Sequence, residues 1–245
     1  MIIPIVLHRV VESNCIDFED ITIVSFDKIL SKDSSKYITA EDVDKVKVKS
    51  DRIYYLITFD DGYASDYNVV FPRLKEQNIK ATFFINPQTV GKEGYVNWVM
   101  VQEMSDYGMC IGSHSDSHPN MTKISSDEAK QEFINSKKII TNKINKNVIF
   151  FAFPFGFYNI KLVKLAIKCG YQKCFLSNHG VIATDSLIAP RNSINKTMSF
   201  NDVDKILKCS ISTRFEWKCK DIIKSFLKKV LSVNFYKFLR RIALQ

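Results

Sequence analysis

Apolar and polar positions along the chain switch repeatedly between two periods. Ile2–Leu7 is an unbroken apolar run with polar residues on both sides, which reads as a buried strand. Residues 52–59 are rich in β-branched and aromatic types and run into Asp60-Asp61-Gly62, a strand ending in a turn. Residues 80–85, 109–113, 147–153, 172–177 and 187–194 read as further short strands. Between them the period lengthens. Val69, Val70 and Leu74 give helical spacing over 66–77, and helices are also predicted over 97–107 and 159–169. Ser125 followed by an acidic first turn predicts a helix over 125–143, and Ser199 caps one reaching Leu207. Residues 15–51 are polar and broken, with weak helical pattern near 26–30 and 40–46.

Strand and helix thus alternate about seven times, which implies an α/β fold with a mainly parallel sheet and helices outside it. With that many units a closed or nearly closed barrel is favoured over an open sheet, and chemistry is expected at the C-terminal ends of the strands. A chain of 245 residues suits one large domain, or one domain with an appendage. The division expected is a main domain over 1–213 and a basic amphipathic helical tail over 214–245.

Three strand ends carry unusual polar residues. In Thr58-Phe59-Asp60-Asp61-Gly62, two adjacent carboxylates are costly if both stay charged, and a metal ion would relieve that cost. If the chain stays extended, the two side chains point to opposite sides, so one Asp reaches the ion and the other faces its water. The plain alternative is a pair of turn residues before a glycine. In Gly112-Ser113-His114-Ser115-Asp116-Ser117-His118-Pro119, two of the chain's four histidines stand four apart. A helix-like turn would put both imidazoles on one side, and neutral imidazole is a common ligand for zinc and related ions. Asp61, His114 and His118 together make a two-nitrogen, one-oxygen set, the pattern of a catalytic site with an open position for water. Asp60 is then a candidate base. In Phe151-Ala152-Phe153-Pro154-Phe155-Gly156-Phe157, Pro154 and Gly156 force a turn whose aromatics can wall a sugar face and whose backbone N–H can meet an oxyanion.

These blocks, in this order, resemble the signature of the polysaccharide deacetylases of carbohydrate esterase family 4, the nodulation-type or chitin-deacetylase-like domain. The stretch from Phe71-Pro72-Arg73-Leu74-Lys75 to Ala81-Thr82-Phe83-Phe84-Ile85 is similar to the family between its first two blocks, and the resemblance extends over about residues 2–200. It implies a distorted (β/α) barrel and one divalent ion, zinc with cobalt or nickel as alternatives. It implies Asp60 as catalytic base, Asp61, His114 and His118 as metal ligands, and the Pro154-Phe155-Gly156 turn lining the site with the Phe155 N–H as oxyanion donor. The substrate implied is an N-acetylated glycan or glycan precursor, which loses acetate.

Two positions depart from the family pattern. An Arg that pairs with the base in many members is Ala152 here, and Arg191, after another predicted strand, is the candidate substitute. No late Leu-x-His block supplies the general acid. His8, in Val6-Leu7-His8-Arg9-Val10, resembles the N-terminal Tyr-His block of the biofilm poly-N-acetylglucosamine deacetylases and is preferred as acid over His179. These departures leave a second reading open, a glycan-binding relative without turnover.

The charge of +9 is concentrated in the tail, where residues 214–245 hold nine Lys/Arg against two Asp/Glu. Ile222, Ile223, Phe226, Leu227, Val230 and Leu231 recur there at helical spacing among lysines, a pattern suited to an anionic membrane surface. No recognition motif accompanies the charge, so nucleic acid is not an expected partner. The six cysteines form no CxxC pair and read as free thiols. With no secretory leader or spanning segment recognised, a cytoplasmic location is expected, peripheral at the inner face of the membrane through the tail.

Overall fold

A computed structural model describes residues 1–46 and 52–230, with no side-chain detail for residues 220 and 223–230. In chain order it holds β1 (Ile2–Leu7), β2 (Val10–Val11), β3 (Ile21–Thr22), α1 (Ile23–Ile29), β4 (Tyr37–Ile38), β5 (Tyr54–Phe59), α2 (Phe71–Glu76), β6 (Thr82–Ile85), α3 (Trp98–Asp106), β7 (Cys110–Ser113), α4 (Ser126–Ile144), β8 (Phe150–Ala152), α5 (Ile160–Lys168), β9 (Lys173–Phe175), β10 (Ile188–Ala189), β11 (Asn192–Ser193), α6 (Phe200–Lys208) and α7 (Ile211–Val230).

The main sheet runs β10-β9-β8-β7-β6-β5-β1-β11, with β4 on the lower half of β5, and every pairing along it is parallel. Its two end strands, β10 and β11, are joined by Pro190 and Arg191 alone. Two residues span less than about 10 Å, so the sheet has to curl until its edges nearly meet. The result is the predicted distorted (β/α) barrel, with nine strands among the described residues where about seven were expected, and with α2–α5 as crossovers on its outside. The predicted strand over 187–194 is two short strands instead. Pro190 cannot donate to a ladder, and the chain crosses the seam of the barrel there.

The alternation of side chains along each strand separates two buried clusters. Ile3, Ile5 and Leu7 of β1, Tyr55, Ile57 and Phe59 of β5, and Phe83 and Ile85 of β6 face outward beneath the helices. Ile2, Leu56, Phe84, Cys110, Phe150, Ala152 and Phe175 fill the interior. Continuing the inward parity past the strand ends places His8, Asp60, Asn86 and His114 at the C-terminal mouth. Gly112 keeps that interior passable: a Cβ there would come within 2.5 Å of the Phe84 ring and 3.2 Å of the Phe150 carbonyl.

The helices start where the capping residues put them. The Ser125 side chain accepts from the Glu128 N–H and the Glu128 carboxylate accepts from the Ser125 N–H, which closes the start of α4. Ser199 and Asp202 do the same for α6. The segment predicted as one helix over 66–77 opens with a π-helical turn, Asp66–Val70, and continues as α2. The C-terminal helix begins at Ile211 and therefore crosses the expected boundary at 213/214; its Trp217 is buried against the barrel. The amphipathic pattern read in the tail extends into residues 231–245, which lie outside the described residues. No helix among the described residues is long and apolar enough to cross a membrane.

Candidate active site

At the mouth of the barrel a cavity of about 450 Å³ is walled by residues from many strand ends. Its size is ordinary for a small-molecule or sugar pocket. His8, Asp60, Asp61, His114, His118, Phe155, Gly156 and Arg191 line it, so the structure gathers eight of the nine residues expected there. The ninth, Pro154, is the buried first residue of the turn and is not among the residues that wall the cavity.

Asp60 and Asp61 diverge, but not by the extended-chain alternation expected. Asp61 adopts a left-handed backbone, φ 75°, and this bend turns its carboxylate back over the mouth. The two histidines likewise share no helical turn. Ser115 (φ 65°) and His118 (φ 59°) are both left-handed, and the Ser115 hydroxyl accepts from the His118 N–H at 2.9 Å. Glu132 of α4 ties this loop down. One of its oxygens accepts from the Asp116 and Ser117 N–H groups at 2.8 and 2.9 Å, and the other from the Ser117 hydroxyl. With Phe155 (φ 56°), four residues at the site hold a conformation that costs non-glycine residues about 1–2 kcal/mol each. Such strain persists only where surrounding contacts impose it.

One ligand atom each from Asp61, His114 and His118 lies within 4.8 Å of the others. Asp61 Oδ1 is 3.5 Å from His114 Nε2 and 3.2 Å from His118 Nε2. Ligand atoms about 2.1 Å from a tetrahedral ion stand roughly 3.4 Å apart, so these three suit a cation of the zinc type. His114 Nδ1 lies 2.9 Å from the Ala152 carbonyl, a contact that fixes the proton on Nδ1 and leaves Nε2 as the donor atom. Burial pushes the His114 imidazole down to about 4, outweighing the nearby Asp60 charge, so it is neutral as a ligand requires. Burial would raise Asp61, but the hydrogen bond with His118, followed by the other neighbouring imidazoles, holds it below the usual carboxylate range.

Asp60 sits deeper, 4% exposed. Arg191, fully buried, meets it with two parallel hydrogen bonds of 2.6 and 2.7 Å. Burial alone would raise the Asp60 carboxyl, yet the Arg191 charge and then His114 bring it below its ordinary value. Arg191 therefore supplies the positive charge for which Ala152 has no side chain. Its guanidinium also donates to Thr58 Oγ1 at 3.1 Å and lies 5.2 Å from the centre of the Phe84 ring in the barrel interior.

His8 lines the cavity with Nε2 3.5 Å from a Glu19 oxygen, while its buried Nδ1 has no hydrogen-bond partner among the described residues. His179, the other histidine considered for the acid, is not in the cavity wall. Its Nδ1 lies 2.8 Å from Asp221 and its ring stacks on Trp217. Among the residues that the sequence does not single out are Asn86 and Glu19, which line the cavity, and Glu132, which holds the loop carrying His118. Asn86 was reachable by inward parity, two positions beyond Phe84. Glu19 and Glu132 stand in a loop and on a helix face, and no local pattern singles them out.

A curled parallel barrel with an Asp-His-His donor set and an Arg-paired carboxylate at its mouth has the form of the deformed (β/α)-barrel esterases that act on carbohydrates. The family model described as polysaccharide deacetylase matches residues 47–174, over half of the chain, and the chain belongs to that family, carbohydrate esterase family 4. The YxkH protein of Bacillus subtilis (strain 168) is 32% identical over 130 residues, covering 53% of this chain and 47% of that protein. A peptidoglycan-N-acetylglucosamine deacetylase of Bacillus cereus is 32% identical over 101 residues, covering 41% of this chain and 35% of the relative. The chain thus spans about half or less of these relatives. Among solved structures, the Streptococcus pyogenes deacetylase PplD in complex with acetate superposes with a TM-score of 0.73 at 23% identity, covering 84% of this chain and 97% of that one. A de-N-acetylase from Aggregatibacter actinomycetemcomitans gives 0.73 at 20% identity over 84% and 99%. These two likenesses establish the barrel.

Proposed function

We propose that this chain hydrolyses the N-acetyl group of an amino sugar in a glycan or glycan precursor, giving acetate and a free amine. The observation that carries the reading is Asp60, held by two parallel hydrogen bonds from Arg191 beside the Asp61, His114 and His118 donor set. A divalent cation held by those three, zinc with cobalt or nickel as alternatives, would supply Lewis-acid polarisation of the acetyl carbonyl and lower the pKa of the attacking water.

The protein's own groups divide the proton chemistry. Asp60 takes a proton from the water as its oxygen attacks the acetyl carbon. Arg191 keeps Asp60 charged and aimed before that transfer. The Phe155 N–H, on the left-handed turn, is the donor assigned to the oxyanion. His8 gives a proton to the nitrogen as the C–N bond breaks, so that the amine leaves neutral. Peptidoglycan and other N-acetylglucosamine polymers are the substrate class to try first, because relatives of this chain carry peptidoglycan deacetylase names.

Elemental analysis of purified protein, with acetate release measured from N-acetylglucosamine oligomers and muropeptides, tests the reading. One bound divalent ion and acetate release are expected. Asp60→Asn should lower turnover by about 10³-fold or more with the ion retained. A protein that binds no ion and releases no acetate from any of these substrates is not a deacetylase. The binding-only reading draws on Ala152 and on the missing late Leu-x-His block; the Arg191–Asp60 pair speaks against the first, and acetate release decides between the two readings.

A further inference from the structure

Arg191 reaches Asp60 from a cradle that the barrel alone does not complete. Its Nε donates to the Leu176 carbonyl and its backbone N–H to the Asn178 carbonyl, both at 2.9 Å. The segment 176–180, which follows β9 without regular structure, therefore sets where the guanidinium lies. Asn192 holds this segment from within: its side chain accepts from the Gly180 N–H at 3.0 Å and donates to the Gly180 and Pro4 carbonyls at 2.9 and 2.8 Å.

From outside, the segment is held by α7. One oxygen of Asp221 accepts from the His179 N–H at 2.7 Å, and the other is 2.8 Å from His179 Nδ1. The imidazole also lies flat on Trp217, with ring centroids 5.8 Å apart and planes at 23°. Trp217 is 5% exposed, so this contact is part of the packed molecule. One hydrogen bond from its backbone N–H, one at its ring and the stacked indole fix His179, the residue after the Asn178 carbonyl that accepts from the Arg191 N–H.

We propose that Asp221 and His179 are positioning residues for the catalytic base, and that the C-terminal helix braces the 176–180 segment so that Arg191 stays seated on Asp60. The proposal rests on the reading of Asp60 as base. It assigns the beginning of the tail a part in the site. Without the brace, the Leu176 and Asn178 carbonyls lose their external support and the guanidinium gains freedom to leave its parallel contact with Asp60. A misplacement of even about 1 Å at a reacting group can cost up to 10²-fold in rate.

The test uses full-length protein with Asp221→Ala, Asp221→Asn and His179→Gln. Asn keeps an acceptor for the His179 N–H, and Gln keeps that N–H while losing ring and stack. Asp221→Ala is expected to lower kcat on an N-acetylglucosamine oligomer about ten-fold, with KM and the affinity of the metal-free protein for Zn²⁺ within two-fold of wild type. Asp221→Asn should recover most of the loss, and His179→Gln should fall between. Independently of turnover, hydrogen exchange of the Arg191 Nε–H, followed by NMR on metal-free protein, should quicken at least ten-fold in Asp221→Ala. Wild-type kcat in the folded variants, or unchanged Arg191 exchange with only a lowered melting temperature, overturns the brace. If Asp221→Ala does not fold, the same comparison of kcat and exchange in His179→Gln decides. If wild-type protein releases no acetate at all, the functional reading fails while the exchange measurement still judges the brace.

Discussion

Replacing Arg191 with methionine keeps a long stem over Phe84 and removes the whole guanidinium. Asp60, 4% exposed, then loses both of its short charged hydrogen bonds. Removing one partner of a buried ion pair costs about 3–5 kcal/mol, because the remaining charge is left buried and uncompensated. The cost should depend on pH with a definite sign. In wild type the folded Asp60 pKa lies below its unfolded value of about 3.9, so its stabilisation is present above that value and is lost as pH falls through the folded pKa. In Arg191→Met burial, already the largest single influence, is no longer outweighed and lifts the folded pKa above its unfolded value. The penalty is then full above that raised pKa and fades as pH falls toward 4. Urea unfolding of metal-free wild type and variant at several pH values between 7 and 4.5 measures both curves. The gap should be about 3–5 kcal/mol at pH 7 and narrow steadily on acidification. A gap below about 1 kcal/mol at pH 7, the ordinary size for an exposed pair, or one constant over the whole range, refutes the account. Lysine at 191 should restore little, since a point charge cannot make the two-pronged contact.

Two other perturbations separate the groups at the mouth. Glu132→Ala frees the loop that carries His118, and Zn²⁺ affinity measured with a competing chelator should fall about 10–100-fold; unchanged affinity would make the Glu132 contacts incidental to the ion. His8→Ala should lower kcat about 10²–10⁴-fold on an N-acetyl sugar but much less on an aryl acetate ester, whose leaving group needs no proton; equal losses on both substrates would remove His8 from the acid role.

Much of this barrel was legible because strand and helix periods differ so plainly. Parity along β1, β5, β6 and β7 carried His8, Asp60, Asn86 and His114 to one mouth, and three of these four were picked out in advance. What a local reading could not supply was backbone hand. Asp61, Ser115, His118 and Phe155 all take positive φ, which a chain of non-glycine residues does not announce. The extended pair of aspartates and the helix-like histidine turn therefore give the wrong local geometry for a donor set that the structure nonetheless gathers. Contacts across long separations were equally hidden. Arg191 was suspected of serving Asp60 but not from a seam between two short strands, and nothing near His179 pointed to Asp221, 42 positions away.

The seam has a bearing on how the molecule comes together. Arg191 lies between the two strands that close the sheet, and β11 docks against β1, where Ile5 is level with Asn192, a residue far along the chain from it. Ring closure of the sheet and arrival of the counterion for Asp60 are therefore one event. Any earlier compact form, with β5 to β9 assembled and the edges still apart, holds a carboxylate facing an apolar interior with nothing opposite it. Such a form keeps Asp60 either wet or protonated. A dry interior and an ionised base become compatible only when the last strand is home.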